Sequence, residues 1–127
     1  MAYKQNIAAI IALAALGLSN SANAHPRLLQ TSPTANATIT APSRMALRFS
    51  EKLIAPVSGG ELVATAVPGH PNMSPTKILL GSALANNGKT LVLSAKRPLA
   101  PGSYRLNWHV VSIDTHRVQG SLSFKVK

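Results

Sequence analysis

The chain has 127 residues, no cysteine, and a formal net charge of +10 set by 13 Lys and Arg against Glu51, Glu61 and Asp114. That length allows one domain rather than two, and the lack of cysteine excludes disulfides and thiolate metal ligands. Three dispersed acids leave no carboxylate pair for acid–base work, and the scattered cations with only two Tyr, two Phe and one Trp argue against a nucleic-acid platform.

The first segment reads as a leader. Lys4 supplies a positive start, Ile7 to Leu18 is an almost unbroken apolar run, and Asn20-Ser21-Ala22-Asn23-Ala24 ends in Ala-x-Ala. That is the pattern of a secretory signal peptide cleaved after Ala24. A run of about a dozen residues is too short to cross a bilayer, which takes roughly 20. The expected organisation is a signal peptide over 1–24 and a single domain over 25–127, exported and carrying +9 once Lys4 is removed. Such a charge leaves contact with anionic membrane surfaces open.

After His25-Pro26 comes a short apolar piece, Arg27 to Gln30, and then a turn-rich stretch from Thr31 to Pro42. Met45, Leu47 and Phe49 alternate with Arg44, Arg48 and Ser50, the period of a half-buried strand. Gly59-Gly60 punctuates, and Glu61 to Val67 reads as another strand. Pro68 to Pro75 holds three prolines and a glycine, which forbid regular pairing. Lys77 to Leu80 is a short strand, and the turn Asn86-Asn87-Gly88 leads into a strand over Lys89 to Leu93. Pro101-Gly102 precedes Tyr104, placed where a sandwich tyrosine hydrogen-bonds back across the corner. Tyr104, Leu106, Trp108 and Val110 alternate with Arg105, Asn107 and His109, which puts His109 on the solvent side. Gly120 to Val126 ends the series, with Leu122, Phe124 and Val126 inward. About seven short strands with no helical period predict an all-β, antiparallel Greek-key sandwich.

Chemistry is concentrated at the two ends of the predicted domain. Asp114-x-His116 holds the only Asp in the chain, and residues two apart in an extended backbone share a face. Cleavage after Ala24 would expose the α-amine of His25, which with ring Nδ1 closes a six-membered chelate. Pro26 has no amide proton and cannot be ionised into a further ligand, so other residues must complete the site. Asp114 and His116 would make it an amine, two imidazoles and a carboxylate. That set suits tetragonal Cu(II), and Zn(II) could take similar donors in a tetrahedron. Singly, each feature also has a plain explanation: a solvated terminal His, an Asp organising a turn, a surface His. They meet only if the first strand runs beside the Asp114–His116 segment. A +9 domain repels a divalent cation, but screening over about 8–10 Å leaves chelation to dominate. Binding should be pH-sensitive because the nitrogen donors must lose protons.

His25-Pro26, Leu47-Arg48-Phe49-Ser50-Glu51, Leu99-Ala100-Pro101-Gly102-Ser103-Tyr104 and Trp108-x-x-x-Ser112-x-Asp114-x-His116 with Gly120 resemble the CopC/PcoC family of periplasmic copper-resistance proteins. The resemblance covers all of 25–127. It implies an Ig-like β-barrel or sandwich that binds Cu(II) through the terminal amine and ring of His25, with Asp114 and His116, and it places Glu51 near that site as a supporting group. It implies a non-enzymatic carrier or buffer, and a copper-transporting inner-membrane protein as partner. Many members also carry a Met-rich Cu(I) loop of the form M-x-G-M-x-x-H-x-P-M. The corresponding Val67 to Thr76 keeps only His70 and Met73, so a Cu(I) site is expected to be weak or absent, because Cu(I) favours several soft ligands. Two rival classes follow from the same residues: a histidine-brace copper oxidase of the polysaccharide-monooxygenase kind, and a metal-free Ig-like adhesion or chaperone module.

Overall fold

The computed structural model describes residues 25–127, and the expected signal peptide over 1–24 lies outside the described residues. Nine strands form two sheets packed face to face. The first sheet has four: β1 (Leu28–Ser32), β3 (Arg44–Phe49), β6 (Leu80–Ala85) and β7 (Thr90–Ala95), in the order β1-β3-β7-β6. The second has five: β2 (Thr38–Ile39), β4 (Gly59–Ala66), β5 (Thr76–Ile78), β8 (Gly102–Val111) and β9 (Arg117–Val126), in the order β2-β9-β8-β4-β5. The sandwich is the expected class. Beyond the expected strands it adds two, the two-residue β2 and the edge strand β6. The β2–β9 pair is parallel, and every other pair is antiparallel.

Alternation decides which residues face inward. Met45, Leu47 and Phe49 on β3 oppose Leu106, Trp108 and Val110 on β8, and all six are buried. Burying side chains of this size contributes about 1.5–3 kcal/mol each before entropy is counted. Phe49 meets the Trp108 indole edge-on at 5.3 Å, and Tyr104 stacks on Phe124 at 5.6 Å. The expected tyrosine corner is formed: Tyr104 Oη donates to the Ala100 carbonyl at 2.5 Å. Burial raises the Tyr104 pKa above its ordinary value.

Two local expectations are corrected. The short strand expected over Lys77 to Leu80 is interrupted at Leu79. Ile78 pairs with Leu62 in the second sheet, whereas Leu80 pairs with Ala95 in the first. The chain changes sheets at Leu79, whose side chain is left 82% exposed. His109 is half-buried, not fully solvated, because its ring lies against Gly59, the residue opposite it on β4. There is no Cβ at Gly59 to push the imidazole outward.

Candidate metal centre

β8 and β9 are joined by the turn that carries the acid–imidazole pair. Val111 pairs with Arg117, so Ser112 to His116 forms the connection. The Ser112 amide donates to the His116 carbonyl at 2.9 Å, and the Thr115 amide donates to the Ser112 carbonyl at 2.8 Å. Thr115 sits at φ 72°, in the left-handed region. Asp114 and His116 therefore converge because the chain turns between them, not because an extended backbone gives them one face. Asp114 Oδ2 lies 3.1 Å from His116 Nδ1, and the His116 amide donates to Asp114 Oδ1 at 3.3 Å.

Ser112, a fixed position of the Trp108–His116 motif, has a role that sequence reasoning missed. It is buried, and its hydroxyl donates to Asp114 Oδ1. That hydrogen bond is the main reason the Asp114 carboxyl titrates below its ordinary value of 3.8; partial desolvation opposes it, and contacts with His116 add to it. With Oδ1 taken up by Ser112 and the His116 amide, Oδ2 is the oxygen turned toward the imidazole. The sequence signal for this was a Ser two residues ahead of an Asp at a strand end, a spacing at which hydroxyl and carboxylate bond locally.

The other end of the domain is brought to the same place by the segment after β3. The Arg27 amide donates to Ser50 Oγ and the Ser50 amide donates to the Arg27 carbonyl, both at 2.9 Å. Two residues later, the Ile113 amide donates to the Lys52 carbonyl at 3.0 Å, and Leu53 bridges to Ser112. Ser50 to Leu53 is thus a spacer tied to the N-terminal segment on one side and to the β8–β9 turn on the other. Pro26 is buried, which fixes the exit of the chain at His25. The His25 and His116 rings approach to 4.4 Å between centroids.

Of the expected site residues, His25, Asp114 and His116 come together at one end of the sandwich. Glu51 lies on the spacer between them and is half-buried. His70 and Met73 are elsewhere, in the loop after β4, at the end of the second sheet where β8 begins. Met73 packs against the core while His70 is exposed. Among the described residues no group of three or more His, Asp or Glu side chains is already arranged to hold a metal. Asp114 and His116 share a proton in this arrangement, and a metal ion bound by both would take that proton's place.

A family model described as CopC domain matches residues 28–127. The chain is 44% identical to copper resistance protein C of Xanthomonas campestris pv. juglandis, over 99% of this chain and 98% of that one. It is 38% identical to copper resistance protein C of Pseudomonas syringae pv. tomato, over 96% and 98%. The fold is similar to the crystal structure of PcoC, a copper resistance protein from Escherichia coli, with a TM-score of 0.75 and 35% identity over 80% of this chain and 99% of that one. The chain belongs to the CopC family.

Proposed function

We propose that this protein is a periplasmic copper-binding protein, a Cu(II) carrier or buffer in copper resistance that performs no turnover. Export and cleavage after Ala24 would free the His25 amine. That amine, the His25 ring, the Asp114 carboxylate and the His116 ring would then hold the ion. The observation that carries this reading is the approach of His25 and His116 to 4.4 Å from opposite ends of the domain, beside an ionised carboxylate. The donor chemistry fits a cupric ion: two imidazoles, an amine and one oxygen make a tetragonal N,O set. Glu51, on the spacer between the two halves, would support the ligands without touching the metal. Delivery to or from a copper-transporting protein of the inner membrane completes the role.

A Cu(I) site at His70 and Met73 is not part of this reading. One thioether, engaged in packing, and one exposed imidazole fall short of what a soft ion requires. The oxidase alternative is also disfavoured. Among the described residues Phe49, Tyr104, Trp108 and Phe124 are the aromatics and all are buried, so none offers a face to a sugar chain.

The test is a chain with one extra residue ahead of His25, compared with residues 25–127 by calorimetry and by EPR of the Cu(II)-loaded protein. The extension, and separately the Asp114→Ala, His116→Ala pair, should each remove most of the affinity and change the copper spectrum. Undiminished binding by the extended chain rules out the amine as a ligand.

A further inference from the structure

The carboxylates of the domain are placed unevenly along its strands, while the cations lie at both ends. β8 runs from Gly102, at one end, to Val111 beside the metal centre. Glu51 and Asp114 belong to the metal-centre end, through the spacer and the β8–β9 turn. Glu61 is paired with Lys77 at 3.3 Å. That pair flanks Leu79, because Leu62 and Ile78, the neighbours of Glu61 and Leu79, are paired across β4 and β5; among the described residues Arg44, Lys96 and Arg97 make no ion pair with a carboxylate side chain.

Those cations gather around an exposed apolar group. Leu79 shares one groove with Pro98, Leu99 and Ala100, and Lys96 and Arg97 form its rim. Arg44 is two strands away, in line with Ser94 and Gly81 on the same sheet, at roughly twice the 4.8 Å strand spacing. The Ala95 amide bonds to the Ser43 carbonyl and the Leu99 amide to the Pro42 carbonyl, so the two basic segments are held side by side. Lys125, paired with Ser103, and Lys127, bonded to Ile39, carry the positive field around the same end. A projecting leucine flanked by Lys96 and Arg97, with Arg44 two strands away, matches an anionic lipid surface: the cations meet headgroup phosphates and the leucine enters the acyl boundary.

We propose that this end of the sandwich docks on anionic membranes, with Leu79 inserted and Arg44, Lys96 and Arg97 on the phosphates. The charge complementarity selects lipid phosphate, and the isolated apolar contact sets the depth. Tyr104, which lines the groove, is separated from Val111 by seven strand steps, roughly 23 Å. The docked protein therefore holds its metal centre away from the bilayer, open to exchange. This inference does not depend on copper, and it fails or stands on metal-free protein.

Residues 25–127, which contain the whole two-sheet core, are mixed with vesicles of phosphatidylcholine containing about one-third phosphatidylglycerol, and with phosphatidylcholine alone, and bound protein is measured by sedimentation. Binding should require the anionic lipid. Lys96→Gln with Arg97→Gln should weaken it at least about tenfold, since each surface cation contributes roughly fivefold. Leu79→Ser should weaken it several-fold at unchanged charge. Arg48→Gln with Lys52→Gln, the same charge change at the metal-centre end, should cost less than about threefold. These side chains are exposed, and matching circular dichroism melts will show that the fold is retained. Equal losses from the two charge pairs would reduce the effect to net charge and overturn the proposal. So would an inert Leu79→Ser, or no binding to anionic vesicles, the result expected if an acidic protein is the partner instead.

Discussion

Ser112 controls the state of Asp114 without a place among the proposed donors. Its buried hydroxyl donates to one carboxylate oxygen and lowers the pKa of the group. Because the folded value is depressed, this contribution to stability is present above the unfolded pKa and is lost as pH falls through the folded one. Ser112→Ala should move the Asp114 titration up toward 3.8. Carbon-13 NMR can follow it directly, since Asp114 is the only Asp in the chain. The same variant should bind Cu(II) about tenfold more weakly, because the carboxylate loses the partner that orients it. An unmoved titration would show that Ser112 does not hold the carboxylate. At this scale His25, Asp114 and His116 were legible in the sequence as chemistry but not as geometry. Residue types and spacing suggested the pair. The left-handed Thr115 and the Ser50–Arg27 hydrogen bonds that bring His25 across depend on tertiary contacts invisible to local patterning.

At the scale of elements, β8 and β9 are locked by a size match across the sheet. Gly120 lies opposite Trp108, and a Cβ there would fall 2.5 Å from indole Cζ2 and 2.9 Å from Cε2. The indole cannot retreat, because Phe49 packs on it from the facing sheet. Gly120→Ala should therefore destabilise the domain by about 1–3 kcal/mol, the usual cost of overpacking a filled core. Adding Trp108→Phe should recover part of that loss, and a double-mutant cycle in urea measures the coupling. Independent, additive losses would contradict the size match. Strong alternation made β3, β8 and β9 legible, and Asn86-Asn87-Gly88 marked its turn through three positive φ values. β6 was not legible. Gly81, Ser82 and Ala83 lack the β-branched and aromatic side chains that announce a strand, and that edge strand is held by its ladder to β7. Two-residue β2 is likewise made by pairing with β9 rather than by its own sequence.

At the scale of the whole molecule, the proposed metal centre joins the start of the domain to a turn near its end. Everything between them is the sandwich. An ion held jointly by His25, Asp114 and His116 would close a loop of nearly the whole domain, and it can do so only in the folded state. Binding to the native form alone stabilises it, by about 2.7 kcal/mol when free ligand is 100 times the Kd. For a domain of this size that corresponds to a rise in Tm on the order of 10 °C. The rise should fade as pH drops through roughly 8 to 6, where amines and imidazoles in general take up protons, and not at the lower pH where Asp114 titrates. Nitrogen protonation, rather than loss of the carboxylate, would then set the acid limit of copper binding. Calorimetric melts of residues 25–127 with and without Cu(II), at a series of pH values, check this directly. A copper-dependent rise that persists unchanged in the Asp114→Ala, His116→Ala variant would mean that the ion binds elsewhere and that the two ends of the domain are not joined through it.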